Sequence, residues 1–118
     1  MEKGWKEINT KSMNANLNVK YIEEIKKIAK KYAMPKGTYA KMLLVRALEK
    51  YQKDKFVFYI QEGEIEDQKC EFISFRVGND VYEKIQTISL NSKLLISQIS
   101  GYLIELELKK ELEEGEKR

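Results

Sequence analysis

Three asparagines at alternate positions, Asn14, Asn16 and Asn18, are the residues whose placement most needs a chemical reason. Together with Ser12 they interleave with apolar Met13, Ala15, Leu17 and Val19, the period-two pattern of a strand with one buried and one wet face. Asparagine is depleted in strands, so something other than strand propensity selects it here. A second alternating run, Phe72-Ile73-Ser74-Phe75-Arg76-Val77, sets Ile73, Phe75 and Val77 on one face. The other chemistry-bearing residues are lysines. Residues 1–53 hold 13 Lys/Arg against 5 Asp/Glu, a charge of +8, whereas residues 54–118 hold 9 against 14, or −5. A strongly basic half suits a polyanion partner, and a solvated lysine-rich helix face is the competing reading.

What is missing narrows the chemistry. There is no histidine and one cysteine, Cys70, which excludes the usual zinc clusters, Cys-His pairs and serine-histidine triads. The pattern reads Cys70 as a small residue at a strand start rather than a reactive thiol. No nucleophile–base pair is visible, so an enzyme is not expected, and neither metal nor cofactor is implied. No apolar run approaches the roughly 18 residues of a membrane helix, and Met1–Trp5 has no signal-peptide core. The expectation is a cytoplasmic protein without membrane contact.

The elements that must position these residues follow from changes of period. After the first strand, Tyr21, Ile25, Ile28, Ala29 and Tyr32 mark one face of a helix over residues 20–33, with Asn18 as N-cap and Lys26, Lys27, Lys30 and Lys31 covering much of the rest. Met34-Pro35 breaks it, and Pro35 suits the first turn of a new helix. Ala40, Leu43, Leu44, Ala47, Leu48 and Tyr51 carry that helix over about Lys36–Lys53. Residues 54–69 form a connector, in which Phe56–Ile60 reads as an extra strand or a helix extension and Glu62, Glu64, Glu66 and Asp67 as exposed. Val81, Ile85 and Ile88 then mark a short helix, and Ile96, Ile99, Tyr102, Leu103 and Leu106 a last one running toward Leu112. Residues 1–10 read as a loose arm open to contact with a polyanion, with Trp5 tucked against the body or without a role, and 113–118 as a flexible tail.

A shift of 60 residues aligns the halves without a gap. Met13, Ala15 and Leu17 fall on Ile73, Phe75 and Val77; Ile25 and Ile28 fall on Ile85 and Ile88; Leu43 and Leu48 fall on Leu103 and Leu108. Units of roughly 45 residues sit near the lower limit for folding alone, and one strand cannot satisfy its own hydrogen bonds. The expected fold is therefore α+β and mostly α: two β-α-α repeats, residues 11–53 and 70–112, joined as an intramolecular pseudo-dimer through a two-stranded antiparallel ribbon.

This pattern resembles the ribbon-helix-helix family of Arc, MetJ and CopG type, and in particular its single-chain, TraY-like tandem members. The resemblance implies that outward side chains of the paired strands enter the major groove and touch base edges. Those positions are Ser12, Asn14 and Asn16, and Phe72, Ser74 and Arg76. Asparagine can bond adenine at two points and arginine guanine, whereas solubilising residues on an exposed strand are the bland alternative. The resemblance also implies phosphate contacts from Lys11 and from the starts of the second helices, at Lys36, Gly37 and Thr38 and at Ile96, Ser97 and Gln98, where backbone N–H groups and the helix dipole favour an anion. The chain departs from the family at Pro35 and Leu95, where Ser or Thr is often found. Glu105, Glu107 and Glu111 make the second copy acidic and point to a folding partner of the first.

The implied function is sequence-specific binding of double-stranded DNA on a non-palindromic subsite, as a transcriptional repressor or a plasmid or conjugation accessory protein, associated with nucleoid or plasmid DNA. Molecules could line up side by side through the last helix. The alternatives are a protein-interaction module, antitoxin-like or a partition adaptor, whose acidic C-terminal half holds a partner protein, and a purely structural helical domain.

Overall fold

The computed structural model describes residues 10–52 and 70–117. Its element order is β1 (Thr10–Asn18), α1 (Val19–Lys31), α2 (Lys36–Gln52), β2 (Cys70–Gly78), α3 (Asn79–Ser92) and α4 (Ile96–Lys117). The described residues thus form a mostly helical α+β structure, with one two-stranded sheet and four helices. The strands pair antiparallel, in a register running from Thr10 opposite Gly78, through Asn14 opposite Ser74, to Asn18 opposite Cys70. Alternation decides which face goes inward. Met13, Ala15, Leu17, Ile73, Phe75 and Val77 are buried, and the side chains between them face out.

Each strand hands over to its helix at a single residue. Asn18 is extended, and its Oδ1 accepts the N–H of Lys20 at 3.0 Å, as an N-cap should. Its own N–H donates to Glu105 Oε2 on α4 at 3.1 Å. Val19 therefore opens α1 instead of closing the strand, while pairing with Gly78 extends β1 back to Thr10, inside the stretch expected as an arm. At the far end of α1, Ala33 takes a left-handed φ of 55°, and the Met34 and Ala33 N–H groups donate to Ala29 O at 2.9 Å and Lys30 O at 3.1 Å. This pair of bonds closes a Schellman turn, the usual answer to the unsatisfied carbonyls of a helix end. Pro35 then starts α2 by accepting from the N–H groups of Thr38 and Tyr39. The α3–α4 break uses Lys93 at φ 62° instead, and Ser89 and Ser92 hydroxyls that bond the carbonyls of Leu94 and Ile88.

The core lies beneath the ribbon and is interlocked. The helix α2 packs on β2 and α1, whereas α4 packs on β1 and α2, so the longest helix of each half supports the strand of the other. Tyr39, Ala40, Leu43, Leu44, Ala47 and Leu48 meet Ile99, Leu103, Ile104 and Leu108 in one cluster. Gly101 brings α4 onto β1: a Cβ there would lie 1.8 Å from the Asn16 carbonyl oxygen. Two ion pairs join α2 and α4, Arg46 Nη1 to Glu111 Oε1 at 2.6 Å and Lys50 Nζ to Glu107 Oε2 at 2.7 Å.

Two expectations change. In α1 the buried residues are Ile22, Ile25 and Ala29, while Tyr32 is exposed; the helix leans on its neighbours through a face rotated from the one its aromatic residues mark. The expected tail from 113 is instead the end of α4, which runs to Lys117. The apolar period stops at Leu112, but a run of glutamates and lysines keeps high helix propensity without an apolar face. The connector with Phe56–Ile60 and the first nine residues with Trp5 lie outside the described residues.

Candidate nucleic-acid interface

The outer face of the ribbon presents, in successive cross-strand rows, Thr10 with Gly78, Ser12 with Arg76, Asn14 with Ser74, Asn16 with Phe72, and Asn18 with Cys70. Ser12, Asn14, Phe72, Ser74 and Arg76 are exposed, and Asn16 is half-buried. The strands thus bring the six side chains singled out in the sequence onto one surface, with the whole core behind them. Rows of neighbouring side chains interact across an antiparallel pair. Ser74 Oγ–H donates to Asn14 Oδ1 at 2.5 Å. Arg76 is held twice by Thr10, Nε–H donating to Oγ1 at 2.9 Å and Nη2–H to the carbonyl oxygen at 3.0 Å.

Lys11 shares the inward parity of Met13 but lies past the end of the core, exposed, with Nζ 5.2 Å from the centre of the Tyr82 ring on α3. That cation–π contact holds the ammonium at the flank of the ribbon, not on its outer face.

The two helix starts differ. At α2, Lys36 and Thr38 are exposed and Gly37 half-buried. The first amide is absent because residue 35 is proline, and the N–H groups of Lys36 and Gly37 meet no acceptor among the described residues. Gly37 also lets this end press against the ribbon, since a Cβ there would lie 2.7 Å from the Ser74 carbonyl oxygen. At α4, Gln98 folds back so that its Oε1 accepts the Leu95 N–H at 3.0 Å, half of a capping box. Ser97 and Gln98 are half-buried, the preceding Leu95 is exposed, and no cation sits at the first turn. The helix dipole favours an anion at both ends, but only α2 adds a lysine.

Three acidic residues of α4 are engaged within the molecule. Glu107 and Glu111 pair with α2, and Glu105 bonds the β1–α1 junction. Sequence reasoning misses these partners, and misses Thr10, because each lies on an element brought close only by the tertiary fold. Gly101 did leave a signal, a lone glycine inside an otherwise continuous helical pattern. Cys70 opens β2, and its thiol is pushed up by desolvation and by the nearby Glu105, away from the reactive thiolate. Among the described residues no three His, Cys, Asp or Glu side chains gather around a metal-sized space, and no helix is long and apolar enough to cross a membrane.

Comparison with protein-family models, with curated proteins and with solved structures finds no match for this chain.

Proposed function

We propose that the chain is a tandem ribbon-helix-helix protein that binds double-stranded DNA through its ribbon, reading base edges in the major groove. The architecture supports a repeat. The elements β2, α3 and α4 begin at 70, 79 and 96, each 60 residues after β1, α1 and α2 at 10, 19 and 36. In the ribbon only Asn14 and Ser74 face each other at that same spacing, which makes their pair the axis of a pseudo-two-fold.

The observation that carries the reading is the outer face of the ribbon. Asparagine, serine and arginine stand there on an exposed sheet face, while Met13, Ala15, Leu17, Ile73, Phe75 and Val77 on the other face supply the core, so burial alone does not choose their identities. Their donors and acceptors match base edges, and a two-stranded ribbon fits the major groove. Lys36, Gly37 and the start of α2 offer a phosphate grip on the flank, so that backbone contacts hold the protein while base contacts choose the site. The partner-protein alternative draws less support, because Glu107 and Glu111 are already paired to Lys50 and Arg46.

The test is fluorescence anisotropy of a labelled random duplex titrated with the intact chain over a range of salt. The reading expects binding whose log K falls linearly with log salt. No binding at low salt would leave a purely structural domain.

A further inference from the structure

We propose that the ribbon reads DNA with a fixed polarity: its Ser12–Arg76 end takes a guanine, its Asn16–Phe72 end takes an A·T pair through the thymine methyl group, and Thr10 is the residue that positions the arginine. This rests on the DNA-binding reading above.

The pseudo-two-fold axis passes through Asn14 and Ser74, so chemical differences between the rows on either side of it become differences between the two ends of a DNA subsite. On one side lies the only cation of the outer face among the described residues, Arg76, beside Ser12. An exposed arginine ordinarily samples many rotamers, but Thr10 takes Nε and Nη2 from one edge of the guanidinium at 2.9 and 3.0 Å. The other edge, Nη1 with the second hydrogen of Nη2, meets no acceptor among the described residues and is left as a pair of donors. Guanine offers two adjacent acceptors in the major groove, O6 and N7, whereas adenine sets a donor beside its acceptor. A guanidinium already fixed in its plane loses less freedom on meeting that pair.

Across the axis the described residues of the outer face, Asn16, Asn18, Cys70 and Phe72, carry no charged side chain. Phe72 stands 61 % exposed beside Asn16, a large aromatic ring held in water that no part of the core requires. An apolar ring in a groove finds its complement in the C5-methyl of thymine, and an asparagine amide finds its complement in adenine. The middle row selects a purine. Ser74 occupies Asn14 Oδ1, leaving the Asn14 amide hydrogens as outward donors that any purine N7 accepts.

The experiment uses the intact chain. A pool of random duplexes is selected, and the preferred duplex is compared by anisotropy with single-base changes, against wild type, Arg76→Ala, Thr10→Val, Thr10→Ser and Phe72→Ala. A non-palindromic core with guanine at one end is expected, and Arg76→Ala should erase a guanine preference of about 10- to 100-fold. Thr10→Val should reduce that preference more than it reduces binding to random duplex, and Thr10→Ser should restore it. Replacing thymine by uracil at the other end removes only the methyl group; it should weaken wild type and leave Phe72→Ala unaffected. A palindromic preference, a guanine preference that survives Arg76→Ala or Thr10→Val, or indifference of wild type to uracil overturns the polarity while DNA binding stands. Absence of binding to every duplex overturns both.

Discussion

Lys50 on α2 closes on Glu107 on α4 with both carboxylate oxygens, at 2.7 and 3.0 Å, and only the lysine side of the pair reaches water. Glu107 is 2 % exposed. A carboxylate at that depth is tolerable only while paired and hydrogen-bonded, so the pair links the two halves conditionally. Lys50→Met should destabilise the chain by about 1–3 kcal/mol, less than for a fully buried pair because Lys50 is half in water. Adding Glu107→Met should recover most of the loss, since two apolar residues of similar volume leave nothing uncompensated. Urea denaturation of the two single variants and the double variant measures this. Purely additive losses would show that the pair is not coupled.

Neighbouring residues of α4 should respond to alanine with opposite signs. Gly101→Ala would put a methyl group 1.8 Å from a backbone oxygen of β1, where no side-chain rotation can relieve it. The helix must then move off the ribbon, at a cost of roughly 2–4 kcal/mol. Ser100, one residue earlier, is fully buried and its hydroxyl has no hydrogen-bond partner among the described residues. Replacing an unsatisfied buried hydroxyl by a methyl group should stabilise by about 1 kcal/mol, and the position 60 residues earlier is already Ala40. Thermal midpoints of both variants decide the matter, and a destabilised Ser100→Ala would mean that the hydroxyl has a partner.

What could be read from the sequence was whatever a period records. Met13–Leu17 and Ile73–Val77 alternate because a two-stranded sheet buries one face, and the helices after Asn18 and Pro35 are announced by a cap and a break. Which side of a helix is buried was less legible, because Tyr21 and Tyr32 look like core aromatics, yet Ile22 is buried, Tyr21 packs only partly against the core and Tyr32 is exposed. Charges were the least legible. The glutamates of α4 look like an acidic surface until Arg46 and Lys50, some 57–65 residues away in sequence, are found beside two of them. Thr10 likewise sat in the supposed arm, and only the register places it against Arg76, 66 residues on. Local patterns follow the backbone, whereas these pairings depend on how the halves interlock.

Ala33 and Lys93 both hold a positive φ, 55° and 62°, at the ends of α1 and α3. A side chain with a Cβ is strained there by roughly 1–2 kcal/mol, and glycine is not. Ala33→Gly and Lys93→Gly should therefore each stabilise by about 0.5–1 kcal/mol, offset in part by the added flexibility of the unfolded chain. The urea midpoint should rise for both. A fall at either position would mean that its side chain contributes more than the turn costs.

Tyr39 should make stability fall in alkali. Its phenol is buried, and desolvation first, then Glu111, raises its pKa above the ordinary value near 10, with Arg46 pulling the other way. In the unfolded chain the proton leaves near pH 10, whereas the native protein retains it to higher pH, so the native state binds more protons in that window. The stabilisation is complete below about pH 10 and is lost as the pH climbs through the native pKa. Tyr39→Phe cannot lose it, so the stability difference between wild type and the variant should shift in favour of the variant from about pH 9 to 11. A constant difference across that range would place the phenol in an unperturbed setting.

Specificity and affinity should separate on the proposed DNA interface. Asn14 and Asn16 stand on the outer face of the ribbon, whereas Lys36 stands at the start of α2 beside it. Loss of a base contact should cost about 1–3 kcal/mol on a preferred duplex and little on random DNA, which is the outcome expected for Asn14→Ala and Asn16→Ala. Loss of a phosphate contact acts on every sequence, so Lys36→Ala should weaken both duplexes alike and reduce the salt slope by about 1. The half-buried Asn16 has its backbone clamped by Gly101, so its variant needs a check of the thermal midpoint before binding is compared. If the asparagine variants lose equally on both duplexes, the outer face contributes general affinity only, and the helix start would have to be the element that chooses where the protein sits.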